Sequence, residues 1–136
     1  MPSDMKQLFK YGDTKEFYKK VGKKDVASFN GVVVHPYYST YAVARDAEWT
    51  SRQFVIDMKE VGEEGVGTYV HVDHKSPAPV GSEVRFIATI KSVERNEIKC
   101  TITAKVGNRL IATIETGQKI LDEDELESLE RVSRSE

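Results

Sequence analysis

The 136-residue chain has the size of one domain, long enough to bury a real core and short for two. Hydrophobic residues make up 39% and charged residues 31%, which argues against a disordered or bilayer-spanning chain. A net charge of −2, with lysines in isolated pairs such as Lys19-Lys20 and Lys23-Lys24, argues against a nucleic-acid partner.

Cys100 is the only cysteine, so no internal disulfide can form, and it is expected to pack as a small core residue. Residues 1–20 are rich in charge, and no apolar run approaches the ~20 residues that span a bilayer. The expectation is a cytoplasmic protein without a membrane partner, folded as a single domain over 1–136, with a core at about 14–121 and an acidic tail at 122–136.

From Thr14 to Ser28 apolar residues mix with lysines, a weak strand signal that loop would explain equally well. Asn30 to Ser39, punctuated by Gly31 and Pro36, reads as a connection leading into a helix capped by Thr40 or Ser39. At 100° per residue, Val43, Ala44, Ala47, Ser51, Phe54, Val55 and Met58 share one sector with Thr40. Glu48 falls at the edge of that sector, about 80° from Thr40, while Asp46, Gln53 and Asp57 lie opposite. Gly62 to Gly65 should end the helix and turn the chain.

Strands with clean alternation follow. Val66, Thr68, Val70 and Val72 share parity with His74, so a strand over Val66–Ser76 should aim His74 at the helix and His71 away from it. Pro77 to Gly81 interrupts pairing, because two prolines remove ladder donors. Val84, Phe86, Ala88 and Ile90, then Cys100, Ile102, Ala104 and Val106, then Leu110, Ala112 and Ile114 form the apolar faces of three more strands. Glu94-Arg95-Asn96 and Gly107-Asn108 supply their turns. Asp122 to Glu136 should be a helical, acidic tail. The pattern predicts an α+β domain, one long helix on a curved antiparallel sheet of about five strands.

Thr40, Glu48 and His74 are assigned to the inner side of helix and sheet. Taken singly, Thr40 is a helix cap, Glu48 a carboxylate reaching water, and His74 a hydrogen-bonded structural imidazole. Taken together, a carboxylate and an imidazole in a partly dry cleft, with a hydroxyl beside them, are the groups that hydrolysis needs. On a continuous helix Thr40 and Glu48 would stand about 12 Å apart, which predicts a bent lead-in at Thr40. His71 and His35 are not expected to act in catalysis, and no metal-ligand spacing is present among the histidines and Asp73.

Two stretches, Thr40 to Trp49 (Thr-Tyr-Ala-Val-Ala-Arg-Asp-Ala-Glu-Trp) and Gly67 to His74 (Gly-Thr-Tyr-Val-His-Val-Asp-His) with Pro77-Ala-Pro-Val-Gly81 after it, resemble the fluoroacetyl-coenzyme A thioesterase-like branch of the hotdog superfamily. The alternating strands through Ile120 agree in length and order. The resemblance implies a hotdog fold, hydrolysis of a small acyl-coenzyme A thioester, and catalytic Thr40, Glu48 and His74. Gly67 would serve as an oxyanion donor, and Val34, Tyr38 and Lys119 as further substrate-binding residues.

It implies a homodimer or dimer of dimers with the site at the seam, and no cofactor beyond the coenzyme A of the substrate. The chain departs from the pattern at Thr116-Gly117-Gln118-Lys119, where the family tends to place histidine and arginine, and near Val33 and Val34, where no aromatic gate stands. Fluoroacetyl selectivity is therefore not implied. A non-catalytic acyl-thioester-binding module and an enoyl-thioester hydratase are the alternative functions on the same fold.

Overall fold

The computed structural model describes residues 8–135. The chain runs β1 (Thr14–Lys20), a single 3-10 turn (Lys23–Asp25), β2 (Val26–Phe29), β3 (Val32–Tyr38), α1 (Thr40–Met58), β4 (Glu63–His74), β5 (Glu83–Glu94), β6 (Glu97–Val106), β7 (Arg109–Asp122) and α2 (Glu123–Arg134). Five strands form one antiparallel sheet in the order β1-β5-β6-β7-β4, and α1 lies across all five. The α+β expectation holds, with a separate β2-β3 hairpin added to it.

Burial follows the alternation. Val84, Phe86, Ala88 and Ile90 of β5 and Cys100, Ile102 and Ala104 of β6 pack under the Ala47, Phe54, Val55 and Met58 face of α1. Burial pushes the Cys100 thiol up to about 12, so it is an inert core group. Among the described residues no helix is long and apolar enough to cross a membrane.

Four local expectations are corrected. The Asn30–Ser39 connection is largely strand: Asn30 and Gly31 both take positive φ, 52° and 79°, and make the two-residue turn of the β2-β3 hairpin. The helix ends at Met58, and β4 already begins at Glu63, after a turn through Gly62 at φ 84°. The parity of β4 changes at a bulge between Gly67 and Tyr69. Val72 packs on the core and His74 keeps its inward aim, but Val66 faces away from the helix, and Gly65 and Gly67 take the inner positions before the bulge.

Asp46, expected on the solvent side of the helix, is buried. It accepts from the Tyr38 hydroxyl and from Arg45 Nε at 2.9 Å, while Arg45 also reaches Asp25 at 2.8 Å. A carboxylate enclosed this way has its lost hydration replaced. Burial first, then the hydrogen bond to the Asp46 carboxylate, pushes the Tyr38 phenol well above its ordinary range. The network ties the hairpin to α1.

Candidate active site

Ser39, not Thr40, caps α1, its side chain accepting from the Ala42 amide at 3.1 Å. That leaves the Thr40 hydroxyl free, and it lies 2.9 Å from His74 Nδ1. Thr40 is the first residue of a continuous helix, so the bent lead-in is not found. The two side chains meet because β4 runs back along the N-terminal end of α1 and turns away just after His74.

Burial holds the His74 imidazole below its ordinary value, the Ser76 backbone opposing this and the nearby His35 adding to it. Its Nε2 is buried with no partner among the described residues. Around the pair opens a cavity of about 320 Å³, lined also by His35, Tyr37, Lys75, Ser76 and Pro77.

Glu48 stands elsewhere. Eight residues further along the same straight helix, it lies about 12 Å down the axis from Thr40. A methyl group added at Gly67 would come within 2.5 Å of Glu48 Oε2, so this glycine is the floor on which the carboxylate rests. The turn carrying Glu48 is anchored from below: its carbonyl accepts from Ser51 Oγ at 3.0 Å, and Ser51 Oγ in turn receives Thr116 Oγ1 at 3.0 Å and Gln118 Nε2 at 2.9 Å. Thr116 and Gln118, noticed in the sequence only as departures from a pattern, thus fix the acid's position.

Gly67→Ala should displace Glu48 while leaving the fold intact. We expect turnover to fall about tenfold, with a stability loss within the usual 0.5–3 kcal/mol of point substitutions. Activity per folded molecule and thermal unfolding measured together check this.

Of the remaining sequence-derived site residues, Val34 and Lys119 are not gathered here. Val34 is exposed on the hairpin and does not line the cavity, because β3 pairs with β2 rather than with the main sheet. Tyr38 contributes to the cavity wall, but its hydroxyl is committed to Asp46. Lys119 alternates with the buried Gln118 and so faces away from the helix, beside Glu94, Arg95, Asn96 and Glu97.

His35, set aside in the sequence because it precedes a proline in a supposed loop, lines the same cavity as His74. Only its place on a strand, signalled by the Asn-Gly turn, could have revealed that. Among the described residues no group of three or more metal-ligating side chains converges.

The sequence profile of the family described as FlK: Fluoroacetyl-CoA-specific thioesterase matches residues 21–124. Among solved structures, a thioesterase superfamily member from Thermus thermophilus is 29% identical, covering 95% of this chain and 96% of its own, with a TM-score of 0.87. A mutant of the fluoroacetyl-CoA-specific thioesterase FlK superposes with a TM-score of 0.83 at 19% identity, covering 94% and 99% of the two chains. A hot-dog-like protein from Thermanaerovibrio acidaminovorans gives 0.82 at 24% identity, covering 95% and 94%. No curated protein sequence matches the chain.

Proposed function

The chain belongs to the fluoroacetyl-CoA-specific thioesterase family, and from that premise we propose that it hydrolyses a small acyl-coenzyme A thioester at a site shared by two copies. The observation that carries this reading is the Thr40 Oγ1 to His74 Nδ1 contact of 2.9 Å in an open cavity, with the helix cap held by Ser39. A threonine needed only to cap the helix would not be released to an imidazole.

The separation of Glu48 from Thr40 supports the sharing. β4 is an edge strand, and Val66, Val70 and the nearby Trp49 are exposed. Unpaired edges invite a second strand. An antiparallel pairing of two β4 strands about a two-fold at His71 would pair Val70 with the partner's Val72 and set the Gly67–Thr68 bulge opposite the partner's His74. Glu48, resting on Gly67, would then complete the Thr40–His74 pair of the other subunit.

In the reaction the thioester carbon gains one oxygen from water and loses the thiolate, giving the free acid and coenzyme A. Glu48 and His74 manage the two protons, one removed from the water and one delivered to the departing sulfur, and the Thr40 hydroxyl orients the reacting oxygen. The Gly67 amide would donate to the oxyanion. The absence of an aromatic at Val33 and Val34 favours a small acyl group other than one selected by such a gate.

Release of free thiol from a panel of short acyl-coenzyme A thioesters, with the solution mass measured in parallel, tests the proposal. Turnover by a dimer or larger assembly is expected, with the acid limb of kcat/KM below the ordinary histidine value because the working imidazole is held down. Binding without turnover, or a monomer at micromolar concentration, would overturn it.

A further inference from the structure

The cavity holds a second imidazole, and its hydrogen bonds determine what it can do. His35 Nδ1 accepts the backbone N–H of Tyr37 at 3.2 Å, which is possible only if Nδ1 carries no hydrogen. In the neutral ring the proton is then on Nε2, which has no protein acceptor among the described residues. The ring is steadied against Tyr37, centroids 5.7 Å apart, and β3 places it in the wall of the cavity that the Thr40–His74 pair also lines.

Apart from the Tyr37 hydroxyl and the Thr40–His74 pair, the other polar groups of the lining are already engaged. Lys75 Nζ bonds Asp73 at 2.9 Å, Ser76 Oγ donates to the Leu110 carbonyl at 2.9 Å, and the Tyr38 hydroxyl donates to Asp46. Arg109, which reaches this turn, is held by Ser76 Oγ at 2.8 Å and by the Pro77 carbonyl. The two imidazoles are close enough for His35 to bear on the titration of His74.

We propose that His35 is a substrate-binding residue that donates its Nε2–H to the acyl carbonyl oxygen of the thioester. The assignment rests on the thioesterase reading for the identity of the ligand, but not for the geometry of the donor. It gives the carbonyl a contact from the hairpin side of the cavity, where a neutral donor orients the acyl group without contributing a charge.

The test uses two non-hydrolysable ligands, acetonyl-dethia-coenzyme A, which keeps the carbonyl, and S-ethyl-coenzyme A, which lacks it. Calorimetry gives the ratio of their dissociation constants for the wild type and three variants. His35→Phe should shrink the preference for the carbonyl ligand about 3- to 10-fold, the range for losing one neutral hydrogen bond, and His35→Gln, which keeps a donor, should retain most of it. Tyr37→Phe, removing the neighbouring free hydroxyl, should leave the preference unchanged.

Thioester turnover with an unaltered preference in His35→Phe sinks this inference and spares the hydrolase reading. A preference that depends on His35 in a protein that hydrolyses no thioester does the reverse. Failure of the wild type to favour the carbonyl ligand, or collapse of the preference in Tyr37→Phe instead, also removes His35 from this role.

Discussion

Subunits carrying Glu48→Gln and subunits carrying His74→Ala, each nearly inactive alone, are expected to recover turnover when mixed. Alone, each substitution removes a proton-transfer group from both sites of a symmetric dimer and should lower kcat by roughly 10²-fold or more, the usual scale for general acid and base work. If Glu48 of one copy serves the Thr40–His74 pair of the other, a mixed dimer concentrates both lesions in one site and leaves the second site whole.

Random exchange makes half the dimers mixed, so an equal mixture should show about a quarter of wild-type activity. Co-refolding the two variants with different tags, and assaying the doubly tagged fraction, measures this directly. A site contained within one chain would leave every site of the mixed dimer damaged and the mixture inactive. Single variants that keep near-normal turnover would remove Glu48 and His74 from the chemistry altogether. The double variant on one chain should be scarcely worse than either single one, because groups that act as a unit lose activity non-additively.

The neighbouring residues Ser39 and Thr40 should divide stability and chemistry between them. Ser39 holds the cap through the Ala42 amide, so Ser39→Ala should cost about 1 kcal/mol of stability with turnover per folded molecule retained. Thr40→Val keeps the volume and removes only the hydroxyl that touches His74, so stability should shift by less than about 0.5 kcal/mol. Turnover should fall more than tenfold, the smaller part of the effect expected at Glu48 and His74. Thr40→Ser keeps the hydroxyl and should be mild. Denaturant unfolding and steady-state kinetics on the same preparations separate the two effects. A destabilised Thr40→Val with normal turnover would return the residue to a purely local role in the helix start.

The sequence by itself determined the α+β architecture, and the reason is local. The periods of 2 and 3.6 are set by backbone geometry, so Val84 to Ile90, Cys100 to Ala104 and the Val43 to Met58 stripe announce which face each element buries. It also singled out Thr40 and His74, one at a helix start and one at a strand end, positions that alternation and capping chemistry can locate.

The β2-β3 hairpin was within reach too, since Asn30-Gly31 is the dipeptide that supplies two consecutive residues at positive φ. Pro36 and the run Val32-Val33-Val34, which does not alternate with polar residues, obscured it.

Tertiary structure alone decided the rest. The bulge between Gly67 and Tyr69 exchanges the faces of a strand, and no count of alternating residues shows where one extra residue will be inserted. Whether Ser39 or Thr40 caps the helix depends on the partner that β4 brings within 2.9 Å of one of them. Asp46 could move from the outer face into the interior only because Tyr38 and Arg45, from the hairpin and the helix, converge on its carboxylate. Val34 and Lys119 share the chain with the Thr40–His74 pair but not the cavity, since hairpin pairing lifts one away and sheet alternation turns the other to the far face. Sequence periodicity reports which way a side chain points; which distant groups it meets follows from how the elements cross, and that is fixed only when the whole core closes.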